Sequence, residues 1–191
     1  MSRHKVQADL VVLLPDDLES RVKDVRTKIC EAAKTKKSTV VPHLTLLSFG
    51  EIEKEQIKHL TGLIEKEKPN PFILQSSAIV AKKDPLLGYK VSNLMIMIKK
   101  TPRLMELHDK LLLKFGKLQS RDMSLIQGAN YLPHITISKI PLEKQEKYKK
   151  LATSITPFSF IVNSIHLKIQ KNGKLIKMQA FDLFPCFKSK E

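Results

Sequence analysis

Apolar and polar positions along this chain switch repeatedly between a period of two and a period near 3.6, the signature of strands alternating with helices. Ala8 to Leu14 reads as a first strand. Pro15-Asp16-Asp17 then opens a helix to about Lys34, with acidic residues in its first turn and Leu18, Val22, Val25, Ile29 and Ala33 at helical spacing. A strand from His43 to Phe49 stops at Gly50, and Glu51 to Lys68 forms a second amphipathic helix ended by Pro69-Asn70-Pro71. Two longer strands, Phe72–Lys82 and Tyr89–Lys99, flank a turn at Asp84-Pro85-Leu86-Leu87-Gly88 and make a hairpin.

The second half repeats this plan without visible identity outside one short motif. Pro102 to Phe115 reads as a helix with proline at its start and Gly116 after its end. A polar, irregular segment, Lys117 to Leu132, leads into a strand from His134 to Ile140, followed by a short helix, Leu142 to Leu151. Strands Phe158–Gln170 and Lys174–Phe184 then flank Asn172-Gly173, the strongest short hairpin signal in the chain.

The repeated motif is Pro42-His43-Leu44-Thr45-Leu46 and Pro133-His134-Ile135-Thr136-Ile137, its histidines 91 residues apart (134 − 43). In a strand the side chains alternate, so His43 and Thr45 share one face while Leu44 and Leu46 point to the other. With six His and nine Thr in 191 residues, about 0.3 His-x-Thr matches are expected by chance. Two that also share the preceding proline and the flanking apolar residues are not a coincidence of composition. Two α+β lobes carrying one motif strand each bring the two His-x-Thr faces together across a groove.

The duplicated motif resembles that of the two-histidine (2H) phosphoesterase superfamily, which includes the 2′,5′ RNA ligase and cyclic nucleotide phosphodiesterase groups. The resemblance covers nearly the whole chain, from Ala8–Leu14 to the strand ending near Phe184. It implies an α+β, bilobal fold in which two pseudo-symmetric lobes of antiparallel sheet plus helices surround a central groove, with residues 1–191 as a single domain. It also implies metal-independent chemistry on a phosphodiester.

That chemistry requires one group to deprotonate the attacking oxygen and another to protonate the leaving oxygen. Imidazole, with an ordinary pKa of about 6.5, serves as either near neutral pH. His43 and His134 are therefore the expected catalytic pair, with the assignment of acid and base open. Thr45 and Thr136 are placed to hydrogen-bond the non-bridging phosphate oxygens. Taken alone each threonine is explained by β-propensity; the histidine two residues earlier favours function. Substrate contacts are expected from Tyr131 as a stacking surface, Arg121 as a second phosphate ligand, Ser138 on the face of His134, and Lys139 near the strand end. Family members often carry a basic residue shortly after the second motif, and Lys139 stands in that place. The first motif continues Leu47-Ser48-Phe49, without a basic residue.

A formal charge of +15 strengthens the case for a phosphate-bearing partner. Its lysines recur at 34/36/37, 82/83, 99/100 and 147/149/150, most of them read as solvated faces. His4, His59, His108 and His166 fall on different elements without carboxylates at ligand spacing, and read as surface or packing residues; no metal or other cofactor is expected. Cys30 and Cys186 show neither metal spacing nor a disulfide framework. No apolar run approaches the ~18 residues that span a bilayer, and the short run behind the basic N-terminus lacks a cleavage site. A monomeric protein of the cytoplasm or nucleus, acting on RNA or a nucleotide, is the expectation. A binding module for RNA or nucleotides, an RNA ligase using the same groove, and a basic scaffold with an incidental motif are the alternatives.

Overall fold

The computed structural model describes residues 5–35, 40–67, 70–83, 91–119 and 127–183. The turn expected at 84–88, Arg121, His4 and Cys186 lie outside them. The elements run β1 (Lys5–Leu13), α1 (Asp16–Ala33), β2 (His43–Glu53), α2 (Lys54–Glu67), β3 (Phe72–Lys83), β4 (Val91–Ile98), α3 (Pro102–Phe115), β5 (His134–Pro141), α4 (Gln145–Ala152), β6 (Ser159–Val162), β7 (Ser164–Lys171) and β8 (Lys174–Asp182).

Among the described residues, eight strands form one antiparallel sheet in the order β6-β3-β4-β5-β2-β1-β7-β8. The two motif strands meet at its centre, paired through Leu44 and Ile135, the middle residues of the two motifs. Outward from that seam one half runs β2-β1-β7-β8 and the other β5-β4-β3-β6. The chain crosses between the halves at Asn163, a single residue between β6 at one edge and β7 near the other. One residue spans at most about 3.6 Å of extended chain per step, so the sheet must curl until its far ends approach. This is why Phe158–Gln170, continuous in its sequence pattern, divides into two strands with different partners: β6 pairs with β3 and β7 with β1.

Two other boundaries moved for local reasons. β2 continues through Gly50 to Glu53 because Gly50 takes a φ of 67° beside a skipped register position at Phe49, a conformation without steric cost only for glycine. The helix expected from Glu51 therefore begins at Lys54, with Gln56 Oε1 accepting from the Glu53 N–H at 2.8 Å. The helix expected from Leu142 opens with a 3-10 turn and becomes α-helical at Gln145. The Asn172-Gly173 hairpin is as expected, both residues having positive φ (50° and 73°).

Helices cover the core face of the sheet. α1 presents Leu18, Val22, Val25 and Ile29 to a core that includes Leu44, Leu46 and Ile135, and α3 adds Leu104, Leu107, Leu111 and Phe115. Two helices reach across the seam: α1 packs on β5, and α3 packs on β2 as well as on β3.

Candidate active site

Each motif strand is interrupted at the same offset. In β5 the register with β4 passes from Thr136 to Ser138, skipping Ile137; in β2 the register with β1 passes from Thr45 to Leu47, skipping Leu46. A skipped residue takes no part in the ladder, so a buried carbonyl there needs another donor. The two helices that reach across the seam supply one each. Arg26 of α1, 4% exposed, donates from Nε to Ile137 O at 2.7 Å. His108 of α3, fully buried, donates from Nδ1 to Leu46 O at 2.8 Å. Arg26 also donates to Thr136 O (3.2 Å) and to Val40 O, two residues before Pro42, so one guanidinium holds both motifs. His108 Nε2 accepts from Gly128 N–H, which fixes the neutral imidazole.

The two histidines are set alike. His43 Nδ1 donates to Val41 O and His134 Nδ1 to Leu132 O, both at 2.7 Å and both two residues back. This fixes each ring's tautomer and turns Nε2 to the ligand side. Continuing the antiparallel register from Leu44 and Ile135 sets His43 abreast of Thr136, and Thr45 abreast of His134. All four residues line a groove of about 940 Å³ whose walls include Val41, Pro42, Val91, Ile140 and Pro141. That size suits a nucleotide-sized ligand.

His43 is held below its ordinary 6.5, first by burial and then by the Lys168 ammonium, whose Nζ lies 3.0 Å from Nε2. Lys168, 6% exposed, also pairs with Asp9 Oδ2 at 2.8 Å, and Asp9 Oδ1 accepts from Ser48 Oγ at 2.5 Å. These groups come from three adjacent strands, with Asp9 paired to Ser48 on one side and to Lys168 on the other.

Among the described residues, the groove's cationic side chains are Arg26, Lys139 and Lys168; none of the described residues in the lysine clusters lines it. Lys139 lies on its wall. Ser138 is among the residues lining the groove, but the skipped Ile137 shifts the alternation: Ser138 is 8% exposed, and its Oγ lies 3.7 Å from Cys30 Sγ. Lys139 takes the exposed phase in its place. Tyr131 is also corrected. Its ring is 4% exposed and stacked on His108 with centroids 3.8 Å apart, and its hydroxyl donates to Thr45 O at 2.8 Å. Burial pushes that hydroxyl's pKa above its ordinary value. A covered ring offers no surface to a base. Tyr131→Phe is accordingly expected to cost about 1 kcal/mol of stability in urea denaturation while leaving substrate KM within twofold; a large rise in KM with unchanged stability would restore the stacking role.

Arg26, His108, Asp9 and Lys168 were not found from the sequence. His108 and Arg26 sit at core positions of their helices, a buried-polar signal that shows only once the helix faces are assigned. Among the described residues no group of three His, Cys, Asp or Glu side chains is placed to hold a metal ion.

The family described as the 2'-5' RNA ligase superfamily matches residues 14–174. Among solved structures, Escherichia coli LigT in apo form superposes with a TM-score of 0.60 at 19% identity, covering 95% of this chain and 99% of that one. LigT complexed with 3'-AMP gives 0.59 at 20% identity, covering 94% and 99%. Usb1 of Kluyveromyces marxianus gives 0.56 at 10% identity, covering 95% and 99%. At these identities the likeness establishes the fold. No curated protein matches the chain.

Proposed function

The chain belongs to the 2'-5' RNA ligase superfamily, and from that membership we propose that it is a metal-independent phosphodiesterase. Its substrates are RNA-derived or oligonucleotide phosphodiesters: a 2′,3′-cyclic phosphate, a 2′,5′ linkage or a cyclic oligonucleotide. The observation that carries this reading is the pair of histidines, each with Nδ1 tied to a carbonyl two residues back, that line one groove together with both motif threonines. A phosphate seated between them meets one imidazole on either side and a hydroxyl donor from each motif. The LigT complex with 3'-AMP supports a nucleotide as the ligand class.

In hydrolysis, a neutral His43 takes a proton from water as the water oxygen bonds to phosphorus. Imidazolium His134 gives a proton to the ribose oxygen as its bond to phosphorus breaks. Burial and Lys168 favour neutral His43, which gives it the base role. Thr45 and Thr136 stabilise the charge growing on the non-bridging oxygens. Ligation is this sequence reversed and needs aligned RNA ends.

The test is incubation with EDTA and a panel of 2′,3′-cyclic mononucleotides, 2′,5′-oligoadenylate and cyclic di- and trinucleotides. Turnover of at least one member in EDTA is expected. No turnover of any member, together with nucleotide binding that is indifferent to both histidines, would overturn the enzyme reading.

A further inference from the structure

We propose that Lys168 is a substrate-responsive partner of His43: it hydrogen-bonds Nε2 and moves that hydrogen bond to a non-bridging oxygen of a phosphate that enters the groove, releasing Nε2 to accept a proton. The inference rests on the phosphodiesterase reading and names the cation that the first motif strand lacks.

A lysine this buried is unfavourable unless paired. Asp9 supplies the pairing, at 2.8 Å, and Ser48 holds the other carboxylate oxygen. An ammonium carries three donors and no acceptor. Two of them are used, on Asp9 Oδ2 and on His43 Nε2. The second bond engages the lone pair that a general base needs. A phosphodiester monoanion is a stronger acceptor for an ammonium than a neutral imidazole, because its full negative charge adds a Coulomb attraction that the neutral ring lacks. Lys168 lines the groove, so the exchange requires rotation about its side-chain bonds while Asp9 stays in place. Only a hydrogen bond changes partner, and no covalent bond is made or broken.

The equivalence of the two motifs explains why this cation comes from β7. Ser48 stands five residues after His43, as Lys139 stands five after His134, beyond the same skipped register position. Where the second motif carries its own lysine, the first carries a serine, and the cation arrives by strand pairing across β1. The groups acting on His43 are Lys168 of β7, Asp9 of β1 and Arg26 of α1.

The experiment compares wild type, Lys168→Met and Lys168→Arg, with inorganic phosphate as the probe. His43 is followed by long-range proton–nitrogen NMR and phosphate affinity by calorimetry, neither of which needs turnover. Three results are expected. In Lys168→Met the His43 titration moves to higher pH, phosphate binds about tenfold more weakly, and Lys168→Arg recovers most of that affinity. In wild type, saturating phosphate moves the His43 titration upward, as an anion replaces the cation at Nε2. On a substrate that wild type turns over, Lys168→Met raises KM more than it lowers kcat and shifts the acid limb of the pH profile upward. Unchanged phosphate affinity in Lys168→Met, with or without a change in His43, overturns the proposal. Absence of turnover in wild type counts against the phosphodiesterase reading, and the phosphate titration still decides the role of Lys168.

Discussion

His43→Ala and His134→Ala each lower kcat/KM by about 10²–10⁴-fold on whichever substrate the wild type cleaves, the usual contribution of a positioned acid or base. The double variant falls little further than the worse single one, because two groups serving one proton relay act as a unit. Phosphate affinity stays within a few fold in both, since the threonine hydroxyls and Lys168 are untouched. The pH profile carries a second expectation. A base must be neutral to act, so activity falls as pH drops through its pKa; His43 is held below 6.5, which sets that fall at a lower pH than for an ordinary histidine. The acid limb in wild type therefore begins below about pH 6.5. Full activity in either alanine variant, measured beside a circular dichroism check of folding, would remove the two-histidine mechanism.

Arg26→Met destabilises the fold by about 3 kcal/mol, taking about 1–3 kcal/mol for each buried carbonyl left without a donor. The guanidinium serves Ile137 O, Thr136 O and Val40 O, which lie on or beside both motifs. The substitution therefore loosens the relative placement of His43 and His134 as well, and kcat/KM falls at least tenfold even at temperatures where the variant stays folded. Arg26→Lys keeps the charge but not the planar fork of donors, so it recovers only a minor part of either loss. Urea denaturation and kinetics on the same samples measure both. A stability change under about 1 kcal/mol would mean that the skipped carbonyl of Ile137 finds another donor, and the tethering role would fail.

The sequence was most informative where a property is local. α3 was placed at its true bounds, Pro102 to Phe115, because proline marks its start, Gly116 follows its end and its apolar positions recur at helical spacing. The motif strands were legible because the same five-residue pattern occurs twice. Reading failed where a period was carried past a break in pairing. Counting in twos puts Ser138 on the face of His134, whereas one skipped residue turns it toward Cys30 at the groove's inner wall. Tyr131 precedes His134 by three, which suggests a groove residue, whereas its place is decided by His108, 23 residues earlier in the chain (131 − 108).

By itself, the sequence determined the order of helices and strands, the duplicated His-x-Thr faces and the bias toward a phosphate-bearing partner. These follow from side-chain periodicity, turn chemistry and charge, each contained within a few residues of chain. Only the tertiary structure decided that the two halves share one curled sheet, that α1 packs on β5 and α3 on β2, that Arg26 and Lys168 line the groove, and that Asp9 stands behind Lys168. The pairs concerned are far apart in the chain: Arg26 and Ile137 by 111 positions, His43 and Lys168 by 125. Which strand lies beside which, and where a ladder skips a residue, are properties of a pairing between two segments. Neither segment encodes them alone.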